Sequence, residues 1–241
     1  VVITGLGAVS SVGNTAEETW QAVKAGKSGA SHITLFDAAD FPVQIAAEVK
    51  DFSLDAYNVN HKLSRKMSRF AKFLLGAGIQ AVNDSGLSSE TLASGKTGIV
   101  TGIGIGLSDG LDAGYRKYFD PNAGVNRLPP LTAPLSLNNE ASANVSMYFG
   151  IKGPSWTIST ACASGSDAIG LGMDMIRSGR IDVCLAGGTD ANITGFNIGC
   201  YQVLQALTQT FNDAPEKASR PFDKNRSGFV MGEGSAALVL E

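Results

Sequence analysis

The chain has 241 residues, 44% of them hydrophobic and 17% charged, which is enough apolar material for one sizeable core and excludes a disordered chain. A net charge of −3 excludes general affinity for nucleic acid, so an electrostatic partner has to be met by a local patch. Three sparse cysteines argue against a disulfide framework and leave room for one reactive thiol.

In chain order, strand-like apolar runs stand at Val1–Thr4, Thr97–Thr101, Ser155–Ser159, Ile181–Ala186 and Ala236–Leu240. Helical spacing covers Glu17–Lys24, Leu63–Asn83, Asp109–Phe119, Leu135–Phe149 and Ser164–Ser178. The alternation predicts an α/β class with crossover units and a parallel sheet in one domain, and the Pro-rich stretch Leu128–Pro134 is expected to be a loop. The opening Val1-Val2-Ile3-Thr4-Gly5 shows no basic region followed by an apolar core and a cleavage site, and the richest apolar stretches are broken by polar residues. A cytoplasmic protein without a membrane span is expected. Val1 resembles the interior of a strand already under way, and Glu241 follows a central-strand pattern, so a fragment of a longer protein is expected.

The segment from Pro154 to Ala168 passes from a β-branched strand through small residues into an apolar helix, with Cys162 at the bend. A thiol at a helix N-terminus faces unpaired N–H groups and the positive end of the macrodipole, both of which favour the thiolate. Ala161, Ala163, Ser164 and Gly165 leave room for a substrate, and N–H groups at such a turn can stabilise an oxyanion. An isolated cysteine is more often a core residue, which is the expectation for Cys184 and Cys200.

Four stretches carry a resemblance: Thr160-Ala161-Cys162-Ala163-Ser164-Gly165, the preceding Gly150 to Ser155, Ala186-Gly187-Gly188-Thr189-Asp190, and Ser219 to Gly234. Their order and spacing resemble the N-terminal half of β-ketoacyl-acyl-carrier-protein synthases of the elongating I/II type. The resemblance implies the N-terminal half of a thiolase-like αβαβα sandwich that works as a homodimer. It also implies that Cys162 takes an acyl chain from acyl-carrier protein, and that malonyl-acyl-carrier protein then decarboxylates and attacks the thioester. In the family two histidines, a lysine and an oxyanion donor come from the C-terminal half, over which this chain does not extend. His32 and His61 match no catalytic motif of the family. Ser227 stands where the family usually has Asp, and Asp190 where Glu is common; both are expected to tune loop packing.

Two further patterns imitate unrelated chemistry. Gly102-Ile103-Gly104-Ile105-Gly106 falls short of a dinucleotide fingerprint because Leu107 occupies the third glycine position. The resemblance puts Ile105 at the mouth of the acyl pocket, and simple loop packing is the alternative. Tyr148 and Lys152, with Ser136 upstream, imitate a short-chain dehydrogenase, but Gly150, Gly153 and Pro154 end the helix that should carry them. Two histidines and three scattered cysteines give no metal-ligand spacing, and no cofactor is implied.

Lys62, Arg65, Lys66 and Arg69 recur at helical spacing beside an apolar stripe of Leu63, Met67, Phe70 and Leu74. Such a stripe is ordinarily a solvated face. Beside an acidic carrier protein it becomes a docking surface, and the resemblance assigns carrier binding to Lys62, Arg65, Lys66 and Arg127. A scaffold resembling a chain-length factor is the non-catalytic alternative, against which the presence of Cys162 argues.

Overall fold

A computed structural model of the chain describes residues 1–106, 109–122 and 127–241. Its strands are β1 (Ile3–Val9), β2 (Ser31–His32), β3 (Ile45–Ala46), β4 (Thr97–Gly102), β5 (Ser155–Ile158), β6 (Val183–Asp190) and β7 (Gly234–Leu240). The α-helices are α1 (Ala16–Lys24), α2 (His61–Ser64), α3 (Arg69–Ser85), α4 (Ser89–Leu92), α5 (Asp109–Phe119), α6 (Thr132–Leu135), α7 (Glu140–Phe149), α8 (Ser164–Arg177) and α9 (Gly195–Val203). Among the described residues no helix is long and apolar enough to cross a membrane.

Five strands form one sheet in the order β1–β7–β6–β4–β5, and β2 pairs with β3 in a small separate ribbon. The sheet is mixed, which corrects the expectation of a parallel one. β4 runs parallel to β5 and β6 through helical crossovers, as expected. After β6, however, the chain wanders and re-enters at the end it left, so Asp190 pairs with Gly234 and β7 runs antiparallel to both β6 and β1.

Period-two alternation gives the sheet two faces. Ile99, Val183, Leu185, Ala237 and Val239 point to one side and join the main core with α3. Val100, Cys184, Ala186 and Leu240 point to the other, under α8. On α3, Phe70, Phe73, Leu74 and Leu75 are all at most 2% exposed, and burying each contributes roughly 1.5–3 kcal/mol. Gly5 and Gly7 let α3 press on β1: a Cβ at either would lie 2.0 Å from the carbonyl of Ala81 or Ala77. The Gly-containing opening of the chain is therefore a packing device.

The continuous helix expected over Leu63–Asn83 is interrupted. α2 ends at Ser64, the chain turns, and Ser68 adopts an extended conformation (ψ 164°) in which its hydroxyl caps α3 by accepting from the Ala71 N–H. Intrinsic capping by Ser68 outweighs the helical periodicity that runs across it. The helix expected over Leu135–Phe149 begins only at Glu140, as α7, and a separate short helix, α6, occupies Thr132–Leu135, largely within the stretch expected to be a loop. α7 stops at Gly150, which is left-handed (φ 68°), so Tyr148 and Lys152 do not share a helix face.

Candidate active site

β4 and β5 end level with one another, Gly102 against Ile158, while β6 passes Gly188 and runs on to Asp190. Open α/β sheets place their binding clefts beyond such carboxyl ends. From β5 the chain turns through residues 159–163 into α8. Ala161 takes a left-handed conformation (φ 53°), uncommon without glycine, and the next side chain, Cys162, is exposed.

One buried hydroxyl holds this turn. Ser164 Oγ accepts from the Thr160 N–H at 2.9 Å, and its own hydrogen lies within reach of the Ala161 carbonyl (2.6 Å) and the Ile103 carbonyl (3.2 Å). The Thr160 hydroxyl donates to Asp167 at 2.5 Å in the first turn of α8. Gly102 permits the seating, because a Cβ there would fall 2.2 Å from the Ser164 carbonyl carbon. Sheet, turn and helix thus fix the position of the thiol.

Cys162 borders two recesses. One, of about 460 Å³, is lined by Gly104, Ile105, Asp190, Tyr201 and Met231 among others. The second, of about 370 Å³, runs along Ile169, Gly187, Ala236 and Leu238. Ile105 and Cys162 thus line the same recess. Asp190 accepts from the N–H groups of Gly104 (2.8 Å) and Ile105 (3.2 Å) and from the Asn192 side chain (2.7 Å). This contact was legible only as loop packing, although an acid at the end of a strand that points into a cleft was a usable signal. Ser227 exchanges hydrogen bonds with Thr208 (2.6 Å) and Thr210 (2.8 Å), which is a packing arrangement.

The other cysteines differ in kind. Cys184 is fully buried beneath α8, and burial pushes its thiol up to about 12, where it stays protonated. Cys200 is half-buried on α9. His32 and His61 are exposed and line neither recess at Cys162.

The basic stripe breaks in two. Lys62, Arg65 and Lys66 are exposed on α2 and the turn after it, and Arg127 is exposed as well. Arg69 lies beyond the Ser68 break and folds inward onto Glu233 at 2.6 Å. Four residues in register on one helix are thus three surface cations and one internal ion pair.

A sequence model described as "Beta-ketoacyl synthase, N-terminal domain" matches residues 1–241. The 3-oxoacyl-[acyl-carrier-protein] synthase 2 of Coxiella burnetii is 43% identical over the whole chain, and that of Vibrio harveyi 39%. In each case this chain spans 57% of the relative's length. Among solved structures, the ishigamide ketosynthase/chain length factor superposes with a TM-score of 0.90 at 32% identity, over all of this chain and 57% of the other. A beta-ketoacyl synthase from Burkholderia phymatum gives 0.86 at 30%, over all of this chain and 58% of the other. With the thiolase-like architecture of these neighbours and a cysteine turn at the ends of its parallel strands, the chain belongs to the β-ketoacyl synthase family, as its N-terminal domain.

Proposed function

We propose that residues 1–241 are the nucleophile-bearing half of a condensing enzyme of fatty-acid elongation. The observation that carries this reading is the exposed Cys162 on a strained, hydroxyl-braced turn between two recesses. The Cys162 thiolate attacks the carbonyl carbon of an acyl-carrier thioester; a new C–S bond forms, the old one breaks, and the carrier leaves as its thiol. Malonyl-acyl-carrier protein then loses carbon dioxide, and the resulting enolate carbon attacks the acyl-cysteine carbonyl. A C–C bond forms and the Cys162 thiolate is released. Stabilising the enolate calls for further donors, which this proposal assigns to the C-terminal half that the family resemblance implies.

Several observations favour that division. The matched relatives are nearly twice as long as this chain, and large apolar side chains stand open: Phe222 is 98% exposed, Val203 78% and Leu204 71%. The carrier protein is the proposed partner in both its acyl and malonyl forms, docking on Lys62, Arg65, Lys66 and Arg127. A solved neighbour, 26% identical, is a type II PKS acyl-carrier protein in complex with its ketosynthase. The working form is proposed to be a homodimer. The cytoplasm is the proposed compartment, in keeping with sparse free thiols.

Intact-mass measurement of the full-length protein after incubation with acyl-acyl-carrier protein tests the reading. One acyl group is expected on Cys162 and none in Cys162→Ser. Residues 1–241 alone are expected to release no labelled carbon dioxide from malonyl-acyl-carrier protein. Acylation elsewhere, or decarboxylation by the segment at the full-length rate, overturns the proposal.

A further inference from the structure

We infer that Asp190 is the positioning residue that sets which acyl chains reach Cys162, by clamping the Gly104–Ile105 backbone at the rim of the cleft. This rests on the acyl-transfer reading above. The loop after β4 is gripped at its two ends by other groups. At its start, the Ile103 N–H donates to Ile158 (3.0 Å) and the Ile103 carbonyl faces Ser164 Oγ. At its far end Gly106 is left-handed (φ 69°), with Asn138 packed so closely that a Cβ would lie 2.0 Å from its Oδ1.

Between those ends, the backbone N–H groups of Gly104 and Ile105 both point at one carboxylate. Successive N–H groups turned to one point form a concavity that selects an anion, and Asp190 fills it. Oδ2 accepts from Gly104, and Oδ1 from Ile105 and from the Asn192 side chain, well within the capacity of an ionised carboxylate. Among the described residues Asp190 has no ion-pair partner, so hydrogen-bond donors alone balance its charge. Asn192 is 4% exposed, and its carbonyl is held in turn by the Asn197 side chain at 3.1 Å on α9. The line of support therefore runs from α9 through Asn192 and Asp190 to Ile105, whose side chain lines the recess beside the thiol. Removing the carboxylate frees the middle of the loop, and with it the apolar wall an acyl chain must pass, while the Ser164-braced turn keeps its own bonds.

The test compares acylation of Cys162 in the full-length protein by hexanoyl- and palmitoyl-acyl-carrier protein, with iodoacetamide alkylation of the same thiol as reference. In Asp190→Ala the palmitoyl-to-hexanoyl rate ratio is expected to change about tenfold, the scale on which a hydrophobic wall discriminates chain size, while alkylation stays within about twofold. Asp190→Glu, which keeps both acceptor oxygens, is expected to restore the ratio toward that of the parent. If the alanine variant does not fold, the near-isosteric Asp190→Asn carries the same comparison, since an amide cannot accept from all three donors. An unchanged ratio in a folded variant, or an equal fall in acylation by both chains and in alkylation, overturns the inference. Failure of the parent to be acylated at all would instead refute the acyl-transfer reading.

Discussion

Arg69 and Glu233, 164 residues apart in sequence, meet at 2.6 Å and join the first turn of α3 to the segment that enters β7. The Glu233 side chain has no solvent exposure; it accepts from Arg69 Nε and from the Val49 N–H (2.9 Å). Arg69 also donates to the Val49 carbonyl at 2.6 Å and lies over the Phe73 ring. Burial opposes the guanidinium charge, but the bonds and charge of Glu233 more than offset it and hold Arg69 firmly protonated. Arg69→Ala would strand a buried carboxylate, so a loss of about 3–5 kcal/mol is expected in urea unfolding. Lys62→Ala, on the exposed side of the same cationic series, is expected to change stability by no more than about 0.5 kcal/mol. Equal effects of the two would mean that the stripe is one surface feature.

Glu140 opens α7 and is 8% exposed. It accepts from the N–H of Ser68 (2.9 Å), from the Ser68 hydroxyl and from Asn144 (3.1 Å). Burial lifts its carboxyl above the ordinary 4.5, and the Ser68 hydrogen bonds only partly oppose that rise. The folded state then binds more protons than the unfolded state from pH 4.5 upward to the raised value. Stability from this group is complete below that window and declines as pH rises through it. Glu140→Gln removes the titration while keeping an acceptor for Ser68. Melting temperatures measured from pH 4 to 8 should therefore show the parent falling relative to the variant. Parallel curves would show that Glu140 titrates alike in both states.

Of the three thiols, Cys162 alone is exposed, and Cys184 is held protonated by burial. Iodoacetamide near neutral pH is expected to label Cys162 first, with Cys184 reacting only on unfolding. Peptide mapping at short times decides this, and early labelling of Cys184 would contradict the burial argument.

Reversing Lys62, Arg65 and Lys66 together to Glu in the full-length protein tests the carrier surface. All three are exposed, so melting should be almost unchanged. Affinity for acyl-carrier protein at low salt should fall about tenfold or more through slower encounter and new repulsion. The deficit should shrink as salt screens the charges. Unchanged affinity at low ionic strength would make these cations an ordinary solvated face.

The sequence was most legible where local signals and burial agree. The strands β4, β5, β6 and β7 and the helix after Cys162 lie within a few residues of their expected spans, because their apolar alternation is also the pattern that packs. It was least legible where one polar residue decides the outcome. Ser68 divides a convincing helical pattern because its hydroxyl caps the following turn and its N–H is claimed by Glu140, a partner 72 residues away. Helix α9 was missed, its Gly195 and Gly199 diluting the periodicity. Cys162 and Ile105 were placed together by resemblance, whereas the clamp by Asp190 depends on a strand end and a loop 86 residues apart. Spacing along the chain carries no record of such a meeting.

Ala161 bears on how the thiol behaves in time. A left-handed alanine costs about 1 kcal/mol relative to glycine, yet the side chain denies the backbone most of the other conformations glycine would sample. Held between the Ser164 brace and the ends of the strands, the turn has few states to visit, so successive encounters meet the sulfur of Cys162 in nearly the same orientation. A glycine at position 161 would ease the local strain and let that orientation wander. The alanine thus converts a small, permanent conformational penalty into a nucleophile whose aim does not have to be recovered at each turnover.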